Sequence, residues 1–569
     1  MNMSSLRLRS LRLTLLALSC LEIVIVTGQP SPAQTQGGYR IAGTVLSATS
    51  GAPLADARIF IVDVSTRQNQ DRQNQDPKNQ KSVVTKEDGR FAFTQVPAGK
   101  YSLTGSKRGY ESGAYEQHEE YATAIVTGAG LDTENLTLRL QPSAILSGTV
   151  LDEAGDPIRG ANVTLFRQDH NLGISRILRM GNSETDDIGT YEFAGLAPGT
   201  YFVSASANPW YAVHTARSSE SNNPGDNSGE VNVDPSLDVA YQTTYYQDAS
   251  EPDAALPIPL KGGDHLEVPL HLNPVAALHL RFHTAGSPEN GYQVPTLMRP
   301  TLDGNDFVQT DGAQMIAPNE WEISGVVPGK YVVRVPPQEP NSSNWSEMEA
   351  DFTGNGEEMD ASQAEPSGEV SARIVMQGGE TASTDVSIEL LSAKGQPVAG
   401  VGVNKQGVAE LRNVTPGTYN VIARDINKIL AVLSLSTDGH ASPEHTVTVT
   451  TGSTTSVTIR VAASTVNVEG FAEKNGKPSS GVMVVLVPLH PNSGRELFRR
   501  DQTDLDGSFL LHDVAPGDYT VVAIENGWEL DWSEPGVIGY YAQHGQPVTV
   551  AVGKEGSQHL SSRIQVQSK

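Results

Sequence analysis

The sequence predicts an all-β protein, a tandem array of about five Ig-like or prealbumin-like antiparallel β-sandwiches that follow a signal peptide. Three observations predict it. The chain has 569 residues, more than one hydrophobic core can organise, which calls for four or five units at about 100 to 150 residues each. It is 38% hydrophobic, 6% aromatic and 19% charged with 54 Gly and 34 Pro, too apolar for a disordered chain and too rich in turn formers for a helical one. One phrase ending in Pro, Gly and Tyr recurs five times, with intervals of 100, 130, 88 and 100 residues between the tyrosines.

The phrase occupies 87–101 (EDGRFAFTQVPAGKY), 187–201, 317–331, 404–419 and 504–519. Counting back from Tyr101, Tyr201, Tyr331, Tyr419 and Tyr519, a glycine always stands two residues earlier, and Gly89, Gly189, Asn319, Gly407 or Gly507 stands twelve earlier. Those twelve-back residues tolerate positive φ and predict a turn. Period-2 alternation follows, as in Phe91 and Phe93 or Phe509 and Leu511, then the Pro-Gly turn and a second strand opening on the tyrosine. Each copy is therefore expected to be a β-hairpin, with its tyrosine buried and the hydroxyl bonded to nearby backbone.

A second phrase precedes four of the copies, most clearly at 41–62 and 146–166, and again at 391–403 and 468–487. The spacing divides the chain into a signal peptide over 1–28 and sandwiches over 38–142, 143–275, 276–378, 379–464 and 465–569. Residues 346–369 hold eight acids and no Lys or Arg, so a flexible acidic segment is expected within the third. Two RQNQD repeats over 67–76 and the stretch 215–236 predict long polar loops.

At Gly148 to Val163 and Gly189 to Tyr201 the phrases GTV…G.P…A.V and DG.F.F..V.PG.Y are met, and there the chain resembles the carboxypeptidase regulatory-like domain, a transthyretin-like or carbohydrate-binding-like sandwich. The resemblance extends over most of 38–569 and is strongest in the first, second and fifth modules. It implies an extracytoplasmic, secreted bacterial type of protein and polysaccharide or protein binding, and it implies no catalysis.

The N-terminus carries Arg7, Arg9 and Arg12, an apolar run from Leu13 to Val26 interrupted by Glu22, then Thr27 and Gly28. That order predicts a secretory signal cleaved near Gly28, and no transmembrane anchor in the mature chain. The single cysteine, Cys20, lies within it, and Ala17-Leu18-Ser19-Cys20 is a poor match to a lipidation site. A secreted, periplasmic or cell-surface protein without disulfides is expected. Forty Lys and Arg against 66 Asp and Glu give a formal charge of −26, which excludes a nucleic-acid backbone as partner.

No HExxH, HxxE, GxSxG or phosphate-binding loop occurs, so catalytic residues, cofactors and metals are expected to be none. His265, His271, His279 and His283 share strand faces at spacings too wide to bring imidazoles together unaided, and Asp504, Asp506 and Gly507 echo the start of a calcium loop that lacks its later Glu. The first strands carry no Lys for an internal cross-link. Aromatic side chains gather after the tyrosines in three modules, at Tyr110, Tyr115 and Tyr121, at Trp210, Tyr211, Tyr241, Tyr245 and Tyr246, and at Trp528, Trp532, Tyr540 and Tyr541. Trp210, Tyr245 and Tyr246 of the second module and the four of the fifth are the candidate ligand contacts, because flat exposed rings stack on sugar faces. The expected function is non-catalytic binding or scaffolding, with a polysaccharide or an envelope protein as partner. Service as an accessory chain to an envelope hydrolase, or as an adhesin or structural spacer, is the alternative.

Overall fold

The computed structural model describes residues 38–569 except 66–79, 129, 215–233, 286–292, 309–312, 338–344, 427, 443–444, 463–464, 491–494 and 552–555. The leader with Cys20, the RQNQD pair and most of 215–236 lie outside the described residues. The rest is an array of β-sandwiches, each with its own apolar core.

In the first module Tyr39–Ser47 lies between Arg90–Val96 and Leu136–Leu140, and this sheet faces a second one in which Arg58–Asp63 lies between Gln80–Val84 and Gly99–Ser106. The later modules repeat the plan, except that in the fifth Ile564–Ser568 pairs with both Val466–Lys474 and Gly517–Glu525 and so joins its two sheets. Every module departs from a purely antiparallel expectation: the opening strand runs parallel to a closing strand, as Tyr39–Ser47 does with Leu136–Leu140 and Gly368–Met376 with Thr454–Val461. The same holds for the second, third and fifth openings.

The recurring phrase is not a hairpin. Arg90–Val96 pairs with the opening strand of one sheet, whereas Gly99–Ser106 pairs with Arg58–Asp63 in the other, and the same division holds in all five copies. The two residues between the strands cross from one layer to the other. A two-residue hairpin would require a positive φ at its first position. Ala197, Val327, Thr415 and Ala515, each followed by Pro, do not adopt it.

The tyrosine fastens that crossing. All five rings are buried, and each hydroxyl donates to the carbonyl four residues back: Tyr101 to Pro97 (3.2 Å), Tyr201 to Ala197 (2.7 Å), Tyr331 to Val327 (2.5 Å), Tyr419 to Thr415 (2.6 Å) and Tyr519 to Ala515 (3.0 Å). In the first, fourth and fifth copies the ring folds back over the glycine two residues before it, and a Cβ on Gly417 would stand 3.0 Å from the hydroxyl of Tyr419. Six residues before each tyrosine, Gln95, Gly195, Gly325, Asn413 and Asp513 take positive φ where the register against the opening strand shifts by a bulge.

Two expectations in the third and fourth modules are corrected. Gly368–Met376, which a boundary at 378 leaves with the third sandwich, pairs with Val408–Val414 and Thr454–Val461 and buries Val370, Ala372 and Ile374 in the fourth core. The acidic stretch 346–369 is not a free segment: Ser346–Phe352 pairs along Gly329–Val335, and Glu358–Asp360 and Glu365–Pro366 are strands as well. In Ser346–Phe352 Met348, Ala350 and Phe352 pack inward while Glu349 and Asp351 face solvent, the ordinary alternation of a half-buried strand.

The sandwiches also touch across the chain. The fifth meets the first through Lys100 Nζ to Asp504 Oδ2 (2.8 Å), and the second through Ser533 Oγ to Leu172 O (2.8 Å). The second meets the fourth where Gln396 donates to Ile177 O (2.9 Å). First and last modules are thus neighbours, so the array closes on itself instead of extending as a row.

Candidate functional site

The aromatic residues singled out in the fifth module divide by exposure. Trp528 and Trp532 are only 8% and 7% exposed and Tyr541 is buried, all in a second apolar cluster on the outer face of Met483–Pro488 and Gly517–Glu525. Val482 to Val487 is a continuous apolar run, the pattern of a strand covered on both faces. The short helix Pro535–Ala542 covers part of that outer face, and Tyr121 of the first module packs against it.

Between these rings lies Arg500, whose side chain is 2% exposed. Its guanidinium carbon is 4.9 Å from the ring centre of Tyr121, 5.4 Å from that of Trp528 and 4.7 Å from that of Trp532. Its Nη2 donates to Glu119, with Glu120 at 3.8 Å. His118 stacks on Trp528 at 4.8 Å with 5° between planes, and its Nδ1 lies 3.0 Å from Gln502 Oε1. Burial pushes the Tyr121 hydroxyl up to about 12, with the guanidinium opposing the shift.

Trp528 and Trp532 therefore form the joint between first and last modules, with Tyr541 buried in the same cluster. Their reading as exposed sugar-stacking rings is corrected: His118 and Arg500 cover Trp528, Arg500 lies over one face of Trp532, and all three rings are buried. Tyr245 is buried as well, its hydroxyl pushed up to about 12 mainly by burial. Tyr246 is half-buried against the second core. Two of the group are open: Tyr540 is 66% exposed, edge-on to Tyr541 at 5.3 Å, and Trp210 is 89% exposed.

Trp210 is held edge-to-face by Tyr211 at 5.7 Å and 87°. The hydroxyl of Tyr211 donates to Glu153, and that of Tyr241 donates to Glu153 Oε2 at 3.1 Å. Burial, then this carboxylate, raise the Tyr211 hydroxyl to about 12. An open indole beside a fixed carboxylate offers a flat apolar face and hydrogen-bond acceptors together. Tyr211 and Tyr241 belong to the aromatic group read from the sequence, though not to its candidate ligand contacts, and Glu153 was missed; Asp152-Glu153 at the first turn of the module was the available signal.

The histidines do not converge. His265 is exposed, His271 lies 3.6 Å from Asp248, and His283 lies 3.6 Å from Glu320. His279 instead joins a chain between the second and third modules: Asp238 Oδ1 to His214 Nδ1 (2.9 Å), Asp238 Oδ2 to His279 Nε2 (2.8 Å), and His279 Nδ1 to Glu322 Oε1 (3.3 Å). Among the described residues no cluster of three or more His, Cys, Asp or Glu is arranged to hold a metal. Asp504 receives Lys100 and the Ala124 amide, and Asp506 receives Ser508. Among the described residues no helix is long and apolar enough to cross a membrane.

Fold and joint define a modular β-sandwich protein whose recurring tyrosines serve structure. Residues 40–141 and 145–233 match the carboxypeptidase regulatory-like domain in two tandem stretches, and 466–538 match the second β-sandwich domain of NOMO1-like BOS complex subunits. No curated protein matches the chain. Among solved structures it is similar to the TIE protein of Bacillus anthracis at 13% identity, covering 74% of this chain and 75% of that one with a TM-score of 0.17. GBS52, the minor pilin of Streptococcus agalactiae, gives 13% identity, 42% and 97% coverage and a TM-score of 0.20. The shaft pilin SpaA of Lactobacillus rhamnosus GG gives 10%, 42% and 98%, and 0.19.

Proposed function

We propose that this protein is a non-catalytic binding scaffold of the cell surface or periplasm, in which closed packing of the modules holds exposed contact residues in fixed positions. The observation that carries the reading is Trp210: a ring 89% exposed yet braced by Tyr211, itself tied to Glu153. A large apolar side chain is normally covered, and one held open beside a carboxylate suits a sugar, whose ring carries an apolar face and hydroxyl edges. Tyr540 is a second, separate open ring. Export follows from residues 1–28, and sequencing of the mature N-terminus should find a start near Gln29. The units run to near 142, 275, 367 and 464, the third boundary moved to keep Gly368–Met376 with its sheet.

The test is a polysaccharide panel applied to the mature chain, repeated with Trp210→Ala. Loss of one stacked ring should weaken binding by roughly 1 to 3 kcal/mol, by analogy with stacking on other flat ligands. Glu153→Gln should weaken it less. Binding that survives Trp210→Ala unchanged overturns the assignment, and a panel without any binder moves the reading to a protein partner that meets the acidic surface.

A further inference from the structure

A cavity of about 440 Å³ opens where the first, second, fourth and fifth modules converge. That volume lies in the range of small-ligand sites, about 300 to 1,000 Å³. Its walls are mainly apolar: Trp532 and Phe498 from the fifth module, Leu172 from the second and Ile422 from the fourth. Most of the exposed wall area is apolar, but ten of the seventeen lining residues are polar or charged, and Arg499 stands out among them.

Arg499 makes three hydrogen bonds, all to backbone carbonyls: Nε to Asp513 O (3.0 Å), and Nη1 to Glu496 O (2.5 Å) and Phe498 O (2.7 Å). Among the described residues it has no carboxylate within ion-pair distance, although it lies deep enough that burial lowers its pKa. A guanidinium taken out of water is ordinarily paired. Three carbonyls fix its direction, and Nη2 is left without a protein partner. That nitrogen is not among the sealed polar atoms, so it opens onto the cavity its side chain lines.

Asp501 and His512 line the same wall. Asp501 accepts from the Leu510 amide through Oδ2 (2.6 Å), and burial pushes its carboxyl up to about 7. His512 has open ring surface, yet burial lowers its pKa; both hold when the open surface faces a cavity rather than bulk water.

We propose that this cavity is a binding site for a small organic monocarboxylate with an apolar body, the carboxylate received by Arg499 Nη2 and the body lying against Trp532, Leu172 and Ile422. Arginine with its direction fixed is suited to a carboxylate, and the apolar walls exclude a ligand that is polar throughout. A dianion such as phosphate would meet Asp513, Glu496 and Glu120, which line the same space.

Phenylacetate titrated into the full mature chain tests this by calorimetry, with indole fluorescence as a second readout because Trp532 forms a wall. We expect a Kd of about 1 mM or tighter, and binding of the neutral isostere phenylacetamide weaker by roughly tenfold or more. Arg499→Gln should lose binding to the same degree, and Ile422→Trp should abolish it by filling the space. If Arg499→Gln does not fold, the acid and amide still decide the matter on the unaltered chain. Equal binding of the two, binding that persists in Ile422→Trp, or no binding of phenylacetate overturns the proposal. Trp210→Ala should leave phenylacetate binding unchanged, which keeps this site separate from the exposed ring.

Discussion

At the joint between first and last modules the central charge is one guanidinium enclosed by three aromatic rings; at the joint between second and third it is a file of two imidazoles and two carboxylates. The Arg500 guanidinium gains from desolvated π faces, so the first joint is held by packing that excludes water. The Asp238 chain is held by hydrogen bonds between imidazole nitrogens and carboxylate oxygens. Between the same two modules, Arg179 reaches Asp303 (2.9 Å) and Asp306 (2.6 Å) from a position more than a third exposed. Closure of the array thus rests on a joint walled by aromatic rings, while the second and third modules are joined by hydrogen bonds and ion pairs.

The sharpest way to break the comparison is Arg500→Ala, which leaves Glu119 facing rings that no longer hold a cation. It should cost about 3 to 5 kcal/mol in denaturant unfolding, and a cost below 1 would mean the joint is not sealed. The second effect is a pH slope. Burial raises the Asp501 carboxyl from 3.8 to about 7, so between those values the folded chain holds a proton that the unfolded chain has released. Stability should therefore fall as pH rises through this window, by up to about 1.4 kcal/mol per pH unit, and Asp501→Asn should flatten the slope. Third, Asp238→Ala removes the shared acceptor of His214 and His279 and should cost about 1 to 3 kcal/mol. Last, Arg179→Ala should cost no more than about 1 kcal/mol and lose even that in high salt.

The recurring strands were legible because their determinants are local. Alternation, the glycine and the tyrosine lie within one stretch of chain, and each fixes the next. The hairpin reading failed on information also present: Thr415 and Val327 before Pro cannot take the positive φ of a primed turn, so the two strands had to part. The acidic strand was hidden by counting charges instead of noting that Met348, Ala350 and Phe352 alternate with Glu347, Glu349 and Asp351. Trp528 and Trp532 were misread for a different reason. Their covering groups, Tyr121 and His118, come from a module some four hundred residues earlier, and no local pattern announces such a partner. The unbroken run Val482 to Val487 was the one clue that the fifth module has two covered faces.

The seal around Arg500 joins residues 381 positions apart. As the chain is synthesised, the face of the first sandwich that bears His118, Tyr121 and Glu119 emerges long before anything can cover it. The closure entropy is modest, since doubling the intervening length adds only about 0.6 kcal/mol. The waiting time is the greater burden: that face stays wet until the last sandwich has folded. The acidic pair Glu119-Glu120 beside the uncovered aromatic surface would then act as a guard, repelling a second nascent copy from the place reserved for the chain's own end.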